Sequence, residues 1–219
     1  MNIVLYGEEK LLLAQRLEDL KKKYQCTSDD MNYMVYHAGE TPMKEIIEDA
    51  LTQPFLTEYK MVVLKNPIFL TKEKPKKKLV TDEDIKLFLD YIEHDHPTTI
   101  FVIYQDQRNF DERKKVVKSL RKHAKWYEME KLTFDQLYKT TREAIIRRNA
   151  SIDDDALTLL LDRCGNDLLT ISNQVEKLCL YTHNIKKEDV ERLVPPRVEE
   201  DVFKLTNALM NHDLRNTMR

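Results

Sequence analysis

Apolar residues in this chain follow two rhythms, one after the other. Up to about residue 130, short apolar runs alternate with stretches in which apolar positions recur every three or four residues. The runs are Asn2–Tyr6, Asn32–Tyr36, Lys60–Lys65, Thr99–Tyr104 and Lys125–Met129, and they predict strands. The periodic stretches are Glu9–Lys23, Pro42–Thr52, Asp82–Glu93 and Asp111–Lys122, and they predict helices. Alternation of this kind predicts an α/β domain, a parallel five-stranded sheet with flanking helices on both faces. Met61-Val62-Val63-Leu64 and Ile100–Tyr104 are apolar without alternation, as central strands covered on both sides should be.

Local signals refine the helix ends. Leu13, Leu17, Leu20 and Tyr24 form one apolar stripe. Thr81 is an N-cap before three acids, Asp82, Glu83 and Asp84, which suit a first turn. Pro42 is expected at the first helical position, capped by Thr41.

After residue 130 the strand rhythm stops. Thr133-Phe134-Asp135-Gln136 is a capping box opening a helix to about Arg148. Asp153–Arg163 is a second helix, ended by Gly165. Asp167–Tyr181 is a third, with Leu168, Ile171, Val175 and Leu178 on one side, and Lys187–Leu193 stops before Pro195-Pro196. A last amphipathic helix is expected from about Glu199, carrying Val202, Phe203, Leu209 and Met210. The division expected is an α/β domain over 1–140, a small all-helical lid domain over 141–202, and the start of a further helical domain over 203–219.

Composition narrows the function class. At 42% hydrophobic and 34% charged, the chain is globular with a highly charged surface. No apolar run approaches the ~18–20 residues of a membrane span, and no basic segment followed by an apolar one marks a secretory signal. Cys26, Cys164 and Cys179 have no metal or redox spacing, which fits a reducing cytoplasm. A net charge of −2 argues against a stand-alone nucleic-acid binder.

The first turn is informative by what it omits. Strand, tight turn and helix are the frame of a phosphate-binding loop. Such a loop needs several glycines, a Lys and a Ser or Thr. Here Gly7 is followed by Glu8-Glu9-Lys10, and carboxylates at a helix N-terminus repel phosphate. Other candidates for chemistry are no stronger. His94-Asp95-His96 lacks further ligands and reads as a solvated loop. Asp106 stands too far past Tyr104 for a strand-end Mg²⁺ carboxylate. Lys72–Lys78 reads as solvated surface rather than a DNA contact, and Arg147-Arg148 as a helix C-terminus. No catalytic residue, metal or cofactor is expected.

One turn carries apolar residues that no fold requires. Gln53-Pro54 ends a helix, because proline removes a donor and disfavours helix at the residue before it. Phe55-Leu56 is left in a short turn before a buried strand. From the residues alone, such a pair folds back and caps the core edge.

Several segments, in order, resemble the delta subunit family of bacterial DNA polymerase III, the clamp-loader subunit that opens the sliding clamp. They are Ile3–Glu9, Asp49–Leu64, His96–Val102 followed by Asp111–Lys115, and Asn173–Tyr181. Together they span nearly the whole chain. Delta prime, the related loader subunit, typically carries zinc-binding cysteines and a Ser-Arg-Cys motif. Here Arg163-Cys164 follows Asp162 and there is no four-cysteine cluster.

The resemblance implies an AAA+-like fold without ATPase activity, and a truncated chain lacking most of a collar domain. It implies a non-catalytic subunit whose partners are the sliding clamp (beta), the ATPase subunits and delta prime, with primed DNA reached only through the assembled complex. It also turns the Phe55-Leu56 turn into a wedge that enters a pocket on the clamp. The pair is Pro54-Phe55 or Phe55-Leu56, and Leu51, at the end of the preceding helix, is counted with them. The alternative class is a degenerate P-loop nucleotide-binding enzyme.

Overall fold

The computed structural model describes residues 1–26, 31–73 and 80–196. Most of the basic Lys72–Lys78 loop, the helix expected from Glu199 and the segment 203–219 lie outside the described residues. The chain divides into two compact units, Met1–Lys131 and a second from Leu132 on. The helix opened by the Thr133 capping box therefore lies wholly in the second.

The first unit alternates strand and helix: β1 (Asn2–Gly7), α1 (Lys10–Lys23), β2 (Tyr33–His37), α2 (Met43–Leu51), β3 (Lys60–Lys65), α3 (Asp82–Glu93), β4 (Thr99–Gln105), α4 (Lys115–His123) and β5 (Ala124–Met129). The five strands pair in the order β2-β3-β4-β1-β5, all parallel. Side chains alternate between faces along each strand. Val4, Val62, Leu64, Phe101 and Ile103 pack on one face against Ile46, Phe88, Ile92, Val117 and Leu120 of α2, α3 and α4. Ile3, Leu5, Met61, Val63, Ile100 and Val102 pack on the other against Leu13, Leu17 and Leu20 of α1. β1, β3 and β4 are thus covered on both sides, which accounts for their unbroken apolar runs. β2 is an edge strand and leaves Met34 and Val35 exposed.

Helix α1, like the second and third helices expected after residue 130, starts one residue after the expected position, and α2 and α4 differ in their caps or by more. Helix α2 begins at Met43, with Pro42 in the cap position at ψ 138° and its carbonyl accepting from the Ile46 N–H at 3.3 Å. Thr41 does not cap it but bridges Ala38. Helix α4 begins at Lys115 rather than Asp111. The Asp111 carboxylate accepts from the Arg113 N–H at 3.2 Å, and its carbonyl accepts from the Lys114 N–H at 3.0 Å. These local bonds make a turn that competes with helix. The Thr81 cap forms as expected, with Asp84 completing a capping box. A 3-10 turn at Ile68–Leu70 was too short to show any periodicity.

The second unit contains α5 (Phe134–Ile146), α6 (Asp154–Cys164), α7 (Leu168–Tyr181) and α8 (Lys187–Leu193). The Thr133–Gln136 capping box is present. Gly165 ends α6 at φ +63°, donating its N–H to the Leu161 carbonyl at 2.8 Å. Leu137, Ile145, Leu157, Leu160, Ile171, Val175 and Leu178 are buried. The unit also holds a two-residue parallel pair that the sequence did not reveal, β6 (Ser151–Ile152) with β7 (Asn184–Ile185). No helix among the described residues is long and apolar enough to cross a membrane.

Candidate functional site

Two turns of the first unit bear on function. In the β1–α1 turn, Gly7 has φ +143° and lies against β5. A Cβ there would stand 2.1 Å from the Met129 carbonyl oxygen. This glycine serves strand packing. Glu9 is the N-cap of α1 and is buried, and its carboxylate accepts from the Leu11 N–H at 3.4 Å. The positive end of the helix, where a phosphate would be held, is already occupied by the chain's own anion. Glu8 pairs with Lys131 at 3.8 Å.

The second turn joins α2 to β3. Leu51, the last residue of α2, is 55% exposed; Phe55 is 58% and Leu56 90% exposed. Pro54 is half-buried. Leu56 also adopts φ +57°, a conformation that costs an L side chain energy and is ordinarily left to glycine or asparagine. Exposed apolar side chains on a strained backbone are not what core-capping would give, so the pair does not fold back onto the sheet.

The turn is held at both ends. Asn32, 2% exposed and just before β2, grips the backbone of Phe55. Its Nδ2 donates to the Phe55 carbonyl at 2.8 Å, and its Oδ1 accepts from the Phe55 N–H at 2.6 Å. The Asn32 carbonyl accepts from the Met61 N–H of β3 at 2.7 Å. At the other end, buried Lys60 closes the C-terminus of α2. Its ammonium donates to the Asp49 carbonyl at 2.8 Å and to the Thr52 hydroxyl at 2.7 Å, and it pairs with the Asp49 carboxylate. A cation on the last carbonyls of a helix complements its dipole. The Tyr36 hydroxyl donates to Asp49 at 3.0 Å. Burial first, and then this hydrogen bond to a carboxylate, push the Tyr36 hydroxyl up to about 12.

Asn32, Asp49 and Lys60 were not singled out from the sequence. A lysine opening an apolar strand was the available signal for Lys60, since a buried ammonium must find acceptors. Asn32 gave none, because its partner is 23 residues away.

The remaining candidates are engaged in local structure. His96 stacks on Tyr91 with ring centroids 4.1 Å apart, and its Nε2 lies 3.0 Å from the Tyr91 carbonyl. His94 Nδ1 lies 2.7 Å from the Asp90 carbonyl. The Asp106 N–H donates to Asn66 at 3.2 Å. Arg148 donates to the Ala144 carbonyl at 3.0 Å, at the end of α5. Among the described residues, no three His, Cys, Asp or Glu side chains converge as metal ligands do.

This fold and this turn have relatives. The family model described as DNA polymerase III, delta subunit, matches residues 4–130, which include nearly all of the five-stranded sheet and the Leu51–Leu56 turn. The chain belongs to the DNA polymerase III delta subunit family. It is 31% identical over 211 residues to DNA polymerase III subunit delta of Bacillus subtilis, covering 94% of this chain and 60% of that protein. Its structure is similar to that of the Bacillus subtilis DNA clamp loader delta protein (YqeN), with a TM-score of 0.74 and 31% identity, over 99% of this chain and 65% of that one. This delta-family chain therefore spans under two thirds of the length of the relatives it matches. The Thermotoga maritima RuvB Holliday junction branch migration motor is similar at a TM-score of 0.54 and 12% identity, over 97% of this chain and 70% of that one. That likeness is one of fold alone.

Proposed function

We propose that this chain works in the cytoplasm as the clamp-loader subunit that binds the sliding clamp through the Leu51–Leu56 turn. By this reading it opens the ring so that the clamp can be loaded on primed DNA. The observation that carries the reading is the exposure of Phe55 and Leu56 on a turn whose Phe55 backbone is held by buried Asn32 and whose preceding helix end is closed by buried Lys60. Phe55-Leu56 is the wedge pair this exposure favours, since Pro54 is half-buried. Burying one Phe and one Leu contributes roughly 3–6 kcal/mol as an upper bound. Association entropy removes part of that, and a turn already rigid in the free subunit loses less than a mobile one. The remainder suits a hot spot that grips and releases. A wedge opens a ring only if it binds the opened or strained clamp better than the closed one.

The partners proposed are the clamp, the ATPase subunits and delta prime, with primed DNA reached through the assembly. The subunit needs no nucleotide of its own in this scheme, which agrees with the Glu9 carboxylate seated at the N-terminus of α1. A clamp pull-down with the parent and with Phe55→Ala/Leu56→Ala tests the proposal. The double variant should lose clamp binding and keep its melting temperature. Unchanged capture by a folded double variant would falsify it.

A further inference from the structure

We infer that Asn32 is the positioning residue of the Phe55–Leu56 turn and that it sets clamp affinity without touching the clamp. The inference rests on the clamp-binding reading for its consequence and on geometry for its substance.

A primary amide is the side-chain group that presents one donor and one acceptor side by side in a plane. The backbone N–H and C=O of a single residue, when both face one way, present the complementary pair. Asn32 and Phe55 meet in that way, at 2.8 and 2.6 Å. The opposite amide orientation would set donor against donor and acceptor against acceptor. Asn32 is itself fixed, because it is 2% exposed and its own carbonyl is bonded to Met61 in β3. The sheet edge is therefore linked through one side chain to the residue immediately before the left-handed Leu56. Fixing both polar groups of the Phe55 backbone fixes the direction in which its Cβ leaves the chain. The chain then reverses at Leu56, at φ +57°, with the second apolar side chain 90% exposed.

Other residue types fail for identifiable reasons. Aspartate replaces the donor by an acceptor and faces the Phe55 carbonyl with negative charge. Serine is too short to reach both groups. Glutamine is longer by one methylene and displaces the turn.

The test uses Asn32→Asp and Asn32→Ser in the full chain, with two readouts. The first is hydrogen exchange at the Phe55 amide, compared with the Val63 amide in the central strand β3. Exchange at Phe55 should accelerate at least tenfold while Val63 stays near the parent value. A merely structural role would accelerate both together. The second is affinity for the sliding clamp by surface plasmon resonance, which should fall roughly tenfold, the scale of one lost hydrogen bond. Unchanged exchange at Phe55, or clamp affinity within twofold of the parent despite faster exchange, overturns the inference. If Asn32→Asp does not fold, the neutral Asn32→Ser variant carries both measurements. Failure of the clamp reading is recognised separately, by parent and Phe55→Ala/Leu56→Ala binding the clamp alike. In that event the exchange readout alone decides whether Asn32 positions the turn.

Discussion

Leu56 is apolar, 90% exposed and at φ +57°, and each of these properties disfavours leucine at that position. A left-handed non-glycine residue costs on the order of 1–2 kcal/mol. Leu56→Gly should therefore raise the unfolding free energy by about 0.5–1 kcal/mol, read as a higher urea midpoint, while clamp capture falls. A lower midpoint would mean that the leucine side chain packs within the fold, which contradicts a wedge. Tyr36 offers a second test at this scale. Its hydroxyl is raised from 10.0 to about 12 in the folded protein. A raised folded value favours the protonated form, so its contribution is complete below pH 10 and is lost as pH rises through 12. Between pH 10 and 12 the stability of the parent should fall more steeply than that of Tyr36→Phe. Parallel curves over that range would show that Tyr36 is not held as described.

Elements were legible in the sequence to the extent that burial imposed a period on them. The β3 and β4 runs are apolar throughout because helices cover both faces, and their bounds agree with the sequence to within a residue. The start of α4 was misplaced because Asp111 satisfies its neighbours locally, which no apolar period can show. β6 and β7 have two residues each, too few for any rhythm. The turn at Phe55 was readable as a helix stop, from Pro54, and as an exposed wedge only through the family resemblance. Exposure depends on Asn32 and Lys60, which the chain brings to the turn from either side. At the other end of the sheet, Gly7 ties β1 to β5 through a contact that admits no side chain. Gly7→Ala must relieve both a positive φ and a 2.1 Å approach to a backbone oxygen. It should cost more than about 2 kcal/mol, seen as a lower denaturation midpoint. A loss under about 0.5 kcal/mol would mean that β5 can move away freely.

At the scale of the whole molecule, the question is whether a strand, tight turn and helix arranged as in a phosphate-binding loop bind nucleotide here. Ligand that binds only the folded state stabilises it by RT ln(1 + [L]/Kd), about 2.7 kcal/mol at a hundredfold excess over Kd. For a chain of 219 residues each kcal/mol moves the melting temperature by roughly 2–4 °C. A site with Kd near 50 μM would thus raise it by roughly 5–10 °C at 5 mM ATP with Mg²⁺. The expected shift is under 1 °C, for two reasons that act together. The Glu9 carboxylate holds the N-terminus of α1, and Glu8 adds a second negative charge beside it. The turn has one glycine, and that glycine is committed to packing against Met129. A shift of several degrees that disappears on removing Mg²⁺ would restore the nucleotide-binding reading. It would also place a second working point in the unit that carries the Phe55–Leu56 turn.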